Sequence, residues 1–304
     1  MDMSVDIAGV HLKNPVMTAS GTFGSGMEYS EFVDLNRLGA VVTKGVSLTP
    51  WEGNPTPRVA ETYGGMLNAI GLQNPGIDTF MERDLGFLGR YDTAVIVNVC
   101  GKTVEEYLGV VERLSDCDTV DMLEINVSCP NVKEGAIAFG QDPKALADIT
   151  GQIRKKAKKP VIMKLSPNVN DIALMAKVCE DNGADAVSMI NTITGMKIDI
   201  HKRTFALANR TGGLSGPAIR PVAVRMVYQA AQAVSIPIIG MGGITSAEDA
   251  LEFIMAGAAA VAVGAANFTD PFATEKVING IEAYMKDNGI DSIEDIKGCV
   301  NRAG

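Results

Sequence analysis

Met122-Leu123-Glu124-Ile125-Asn126-Val127-Ser128-Cys129-Pro130-Asn131 is the stretch on which the fold turns. Its first four residues read as a short strand buried on both faces, as strands of a helix-covered parallel sheet are. At Asn126 the character changes to a loop in which a cysteine stands between two asparagines, fixed by a proline. A structural cysteine sits in apolar company. A reactive one needs access and a positioned partner, and loops past strand ends supply both. Cys129 is therefore a candidate reactive thiol.

The same apolar-then-polar pattern recurs along the chain. Short apolar runs occupy residues 15–20, 40–45, 94–99, 122–127, 160–165, 186–191, 237–242 and 260–265. Amphipathic stretches of helical period separate most of them, most clearly at 105–114, 143–156, 171–181, 219–234 and 247–256. Asn182-Gly183-Ala184 and Ala256-Gly257-Ala258 end two of these stretches with the glycine that a left-handed helix cap requires. Eight such βα units in 304 residues predict an α/β fold, a TIM (β/α)8 barrel forming one domain over 1–304. Residues 5–12 are expected to form an N-terminal hairpin across the bottom of the barrel. A doubly wound open sheet is the alternative that the same alternation permits.

The carboxyl ends of the runs carry Ser20, Lys44, Asn98, Asn126, Lys164, Asn191, Gly242-Gly243 and Gly264. A packed barrel interior favours branched apolar side chains, whereas the catalytic face needs hydrogen-bonding groups. A single lysine at a strand end can snorkel to the rim. Two lysines and three asparagines at equivalent depths read as a polar ligand bed. Two connections are much longer than the rest, at 47–93 and 193–216, and insertions at this face commonly form lids or subsites. The loop from Cys129 to Gly140 holds glycines at 135 and 140, which suit opening and closing over a substrate.

Composition excludes several classes. Net charge is −9 and no basic run is dense enough for nucleic acid. The five cysteines, Cys100, Cys117, Cys129, Cys179 and Cys299, form no CxxC pair, so neither a disulfide framework nor an iron–sulfur site is indicated. Only His11 and His201 are present and no metal-ligand spacing is seen. No signal peptide or membrane anchor is visible, and a reducing cytoplasm is the expected compartment.

Gly240-Met241-Gly242-Gly243-Ile244-Thr245-Ser246 after the seventh run and Gly264-Ala265 after the eighth fit a barrel phosphate site. Glycines there let backbone N–H groups approach an anion, and a helix N-terminus favours its charge. No G-x-G-x-x-G follows a strand, so a Rossmann nicotinamide site is not expected. A phosphate site with Lys164 at the barrel mouth suggests FMN, because a cation beside the flavin would stabilise the anionic reduced ring. Asn98, Asn126 and Ser20 are placed to hydrogen-bond the ring or a substrate.

Nearly the whole chain resembles the catalytic subunits of class 1 dihydroorotate dehydrogenases, the FMN enzymes of pyrimidine synthesis. The resemblance rests on Thr43-Lys44-Gly45-Val46-Ser47, Asn54-Pro55-Thr56-Pro57-Arg58, the stretch from Met66 to Asn74, Asn126 to Asn131, Ser215-Gly216-Pro217 and Gly240 to Gly243, in that order. The sequence around Asn68 is similar to the NAD-linked class 1B rather than to the fumarate-using class 1A. The resemblance implies that Cys129 removes the C5 proton of dihydroorotate while a hydride leaves C6 for flavin N5. It places FMN against Ser20, Lys44, Gly45, Asn98, Asn126, Lys164, Ile190, Gly216, Gly242, Gly243, Gly264 and Ala265. It places the substrate against Lys44, Asn68, Ala69, Ile70, Gly71, Leu72, Asn126, Asn131, Asn191 and Thr192. Asparagine amides donate and accept in one plane, which suits the carbonyls and N–H groups of orotate. The resemblance also implies a partner: an iron–sulfur flavoprotein carrying FAD and a 2Fe–2S cluster, joined to a homodimer of this chain in a heterotetramer that passes electrons to NAD+. A class 1A-type enzyme and an FMN barrel acting on uracil or thymine are the nearest alternatives. A sugar-phosphate isomerase or lyase is the alternative outside redox chemistry.

Overall fold

The computed structural model describes residues 1–128 and 139–302. Strands β1 (Val5–Ile7) and β2 (Val10–Leu12) form an antiparallel hairpin, as expected. Its alternating pattern puts Val5, Ile7 and Leu12 into the main core, and it leads into the start of β3 (Val16–Thr18). Next come β4 (Ala40–Val42), β5 (Val59–Thr62), β6 (Gly65–Asn68), β7 (Ala94–Val99), β8 (Met122–Asn126) and β9 (Val161–Lys164). They are followed by β10 (Ala186–Met189), β11 (Ile193–Met196), β12 (Ile198–Asp199), β13 (Thr204–Phe205), β14 (Thr211–Ser215), β15 (Ile238–Met241) and β16 (Ala260–Val263).

A closed eight-stranded barrel forms in the order β3-β4-β7-β8-β9-β10-β15-β16, with β16 returning to β3. Every neighbouring pair is parallel. This is the expected TIM barrel and not the open sheet. Closure leaves no edge, and helices cover the outside, so these strands are buried on both faces and read as apolar runs.

The run 94–99 is a strand over its full expected length, whereas the other seven expected strands lose one to three residues at their carboxyl ends. Beyond β4 the backbone still bonds across the mouth: Lys44 N donates to Gly24 O at 2.8 Å, and Val46 N to Asn98 O of β7 at 2.8 Å. The helices Pro143–Lys156 and Ala247–Ala256 match their expected bounds. The stretch 219–234 does not. It opens with a tight turn at Pro217–Ile219 and runs as a helix only over Arg220–Ala231. Pro221 fits the first turn of that helix, where no N–H partner is needed, and Ala233 and Val234 both fold back to donate to Ala230 O.

The two long connections meet. Strands β5 and β6 from the first pair with β14 and β11 from the second, giving an antiparallel sheet of order β11-β14-β6-β5. Strands β12 and β13, between β11 and β14 in sequence, form a separate short antiparallel hairpin. The four-stranded sheet has its own small cluster of Leu67, Ala69 and Leu207, separate from the main core. Among the described residues, no helix is long and apolar enough to cross a membrane.

Candidate active site

The carboxyl ends of the barrel strands open into a cavity at the mouth of the barrel. Lys164 at the end of β9 lines it, with Ser20 beyond β3 and Ile190, Asn191 and Thr192 beyond β10. Gly242 and Gly243 beyond β15, Gly264 and Ala265 beyond β16, and Gly216 beyond β14 complete the expected set on its wall. Gly216 belongs to the inserted sheet, so that sheet reaches back to the mouth.

The Gly216 and Gly243 end of the cavity admits close approach only because side chains are missing. Gly216 has φ +103°, and a Cβ on it would lie 2.6 Å from the backbone of Gly65. Gly243 has φ +79°, and a Cβ there would lie 2.7 Å from the Gly216 carbonyl. The Gly243 turn follows the seventh barrel strand and Gly264 follows the eighth, where barrels commonly hold phosphate. Asp249 braces the Gly243 turn: its carboxylate accepts from the N–H of Thr245 at 2.8 Å and of Ser246 at 3.1 Å, and pairs with Arg220.

Glu124 lies deeper, in the middle of β8 and 1% exposed. Its carboxylate accepts from Asn98 Nδ2 at 2.6 Å, Lys164 Nζ at 3.2 Å and Ser188 Oγ at 2.9 Å. Asn98 and Asn126 thus sit beside the cavity, one in β7 and one ending β8, without lining it. Asn126 Oδ1 accepts from Asn191 Nδ2 at 3.4 Å and from Ser128 N at 3.2 Å. Asn191 Oδ1 in turn accepts from Thr192 N at 2.8 Å, so one amide chain fixes three expected residues.

Lys44 and Gly45 line a neighbouring cavity of about 640 Å³ with Glu28, Phe80 and Arg83. Burial holds the Lys44 ammonium below its ordinary pKa. The positive charges of Lys164 and Arg58 act in the same direction, and Cys100 opposes them. That convergence of cations suits an anion. The stretch from Asn68 to Leu72 lines neither cavity, but it is stitched to the turn at 54–58: Asn54 N donates to Ile70 O, Asn54 Nδ2 to Ala69 O and Ala69 N to Arg58 O. Gly71, with φ +75°, packs against Asn54 in this turn, and Asn68 pairs with Gly213 across β6 and β14. The Leu72 side chain lies 3.7 Å from where a Cβ of Gly45 would be, which joins this segment to the mouth. Cys129 and Asn131, the expected base and one expected substrate amide, lie outside the described residues.

Three contributors went unread in the sequence. Glu124 looked like one charge in an apolar run, although a charge in a strand buried on both faces was itself the signal. Buried Asn74 accepts from Ser47 N, Ser47 Oγ and Gly76 N on Oδ1 and so gathers the long loop. Tyr107 donates its hydroxyl to the Asn126 carbonyl at 2.7 Å. Among the described residues, no group of histidine, cysteine or acidic side chains could hold a metal.

A model of the family described as dihydroorotate dehydrogenase matches residues 2–285. The chain belongs to the dihydroorotate dehydrogenase family. Within that family it is 70% identical over 300 residues to the "Dihydroorotate dehydrogenase B (NAD(+)), catalytic subunit" of Lachnoclostridium phytofermentans, covering 99% of this chain and 100% of the relative. The protein of the same name from Alkaliphilus metalliredigens is 61% identical, with 99% of each chain covered. Among solved structures, a dihydroorotate dehydrogenase from Eimeria tenella, in complex with ferulenol, superposes with a TM-score of 0.83. It shares 22% identity over 99% of this chain and 89% of that one, a likeness of fold.

Proposed function

We propose that this chain oxidises dihydroorotate to orotate in pyrimidine synthesis, as the catalytic subunit of an NAD-linked dihydroorotate dehydrogenase. The observation that carries the reading is the 70% identity to such a subunit over essentially the whole of both chains. The alternatives acting on uracil, thymine or sugar phosphates have no comparable support.

The residues at the mouth fit FMN. Gly216 and Gly243 lie on the cavity wall in tight backbone turns that admit no side chain, and their exposed peptide groups would meet a phosphate. Among the described residues, Asn98 Oδ1 is a buried acceptor without a partner, which suits a ring N–H. Ser20, Lys44, Gly45, Asn98, Asn126, Lys164, Ile190, Gly216, Gly242, Gly243, Gly264 and Ala265 would hold it. When bound, FMN supplies the acceptor for the hydride from C6. Lys164 offers positive charge at the cavity wall, where it favours a ring that gains negative charge. The substrate would lie against Lys44, the segment from Asn68 to Leu72, Asn126, Asn131, Asn191 and Thr192. Lys44 and its neighbouring cations would meet the orotate carboxylate, and the amides would meet its carbonyl and N–H groups. Cys129 takes the C5 proton. A thiol of ordinary pKa, about 8.5, must first be deprotonated, so turnover rises with pH through that region.

The chain acts as one catalytic domain in the cytoplasm. Its relatives' name, catalytic subunit, points to a partner, and an iron–sulfur flavoprotein with FAD and a 2Fe–2S cluster would carry electrons to NAD+. A homodimer of this chain with two such partners makes the heterotetramer. Anaerobic titration with dihydroorotate tests the reading. The flavin band should bleach at one equivalent, and Cys129→Ala should keep FMN while losing that bleaching by at least about a hundredfold in rate. A flavin band indifferent to dihydroorotate would discard the substrate, and full-rate bleaching in the variant would remove Cys129 from the reaction.

A further inference from the structure

Glu124 is a carboxylate in the interior of the barrel, in contact with three other staves. Its partners Asn98, Lys164 and Ser188 come from β7, β9 and β10. Stability alone does not call for it: an apolar replacement of a buried ion pair is often neutral or stabilising. Its chemistry, however, imposes an orientation. A carboxylate only accepts hydrogen bonds, so Asn98 must present its Nδ2 to Glu124 and its Oδ1 to the opposite side. That oxygen is buried and, among the described residues, has no partner. It faces Gly45, where a Cβ would stand 2.9 Å away. An unpaired buried acceptor is costly, and it is tolerated where a ligand donor completes it.

We infer that Glu124 is a positioning residue for the flavin: by fixing the Asn98 amide it makes Asn98 an acceptor for a ring N–H of FMN, and it anchors the Lys164 ammonium at the cavity wall. The inference rests on the FMN reading above and adds to it a residue whose side chain works through two others. Glutamine at 124 would keep the shape but bring a donor, and the Asn98 amide could then turn over and offer its Nδ2 to the same ring N–H.

The test is FMN titration of the apoprotein, followed by quenching of flavin fluorescence, for the wild type, Glu124→Gln, Asn98→Ala and the double variant. Loss of one hydrogen bond to the ring is expected to weaken FMN binding about tenfold in each single variant. Because Glu124 acts through Asn98, the double variant should lose far less than the product of the two single losses. The visible flavin band of Glu124→Gln should also shift, while its apoprotein melts cooperatively like the wild type. Should Glu124→Gln fail to fold, Glu124→Asp keeps an acceptor-only group and should hold FMN within about threefold of wild type. Wild-type affinity and an unshifted band in Glu124→Gln, fully multiplicative losses in the double variant, or a tenfold loss in Glu124→Asp would each overturn the role. Failure of the wild type to bind FMN would instead overturn the reading beneath it.

Discussion

At the scale of single residues, charge at the mouth is set by burial. Lys44 is pushed below the ordinary lysine pKa chiefly because its ammonium is withdrawn from water, with Lys164 and Arg58 adding repulsion. An anionic ligand beside it reverses the balance by favouring the charged form. The sign follows: ligand binding raises the Lys44 pKa, so between its free and bound values the complex takes up a proton. Orotate affinity is expected to fall as pH rises through that alkaline window. Calorimetric titration in buffers of different ionisation enthalpy reads this directly. Zero proton uptake throughout the alkaline range would remove Lys44 from the anion site. Lys44 and Lys164 were legible in the sequence because a lysine at the end of an apolar run is conspicuous. Glu124 was not, because its meaning comes from Asn98, Lys164 and Ser188, on three different strands.

Among the elements, the caps and turns decide where the chain changes direction. Ser246 caps the helix Ala247–Ala256 by accepting from Asp249 N, and Asp249 answers by accepting from Ser246 N, closing the turn after Gly243. Gly183 and Gly257, with φ of 90° and 122°, end their helices as the sequence implied. Gly216 is constrained both by its backbone conformation and by its neighbour. Its backbone is left-handed and its hydrogen-only side lies against Gly65, so Gly216→Ala adds both torsional strain and a backbone collision. We expect a loss of about 2 kcal/mol or more in chemical denaturation, together with weaker FMN binding, since the turn forms part of the cavity wall. A variant as stable as wild type would show that β6 and β14 part there at little cost.

For the whole molecule, two layers of different stability share one site. Barrel strands such as β8 and β9 are buried at every position, whereas β5 and β11 alternate between half-buried and exposed residues. The inserted sheet rests on a small cluster of its own. Hydrogen exchange should therefore open β5 and β11 at free energies well below the global value, with β8 and β9 among the last amides to exchange. Equal protection of both layers would mean that sheet and barrel unfold as one unit. The arrangement suits its position, since a less stable sheet that leads into Gly216 at the cavity wall would yield to a ligand without disturbing the barrel.

The amino-acid sequence determined the barrel, because each βα unit is written locally: apolar runs of strand length, helical periods between them, capping residues at the boundaries. It also named most of the mouth, since polar residues at the ends of buried strands have no other ready purpose. Tertiary structure alone decided that residues near 68 and 213 pair, joining two insertions that each read only as a long loop. Strands with both faces partly exposed carry no strong register signal, and their pairing is fixed by the barrel that brings their ends together. It alone decided the part played by Glu124 as well, because a buried charge is defined by the partners that closure of the barrel places around it.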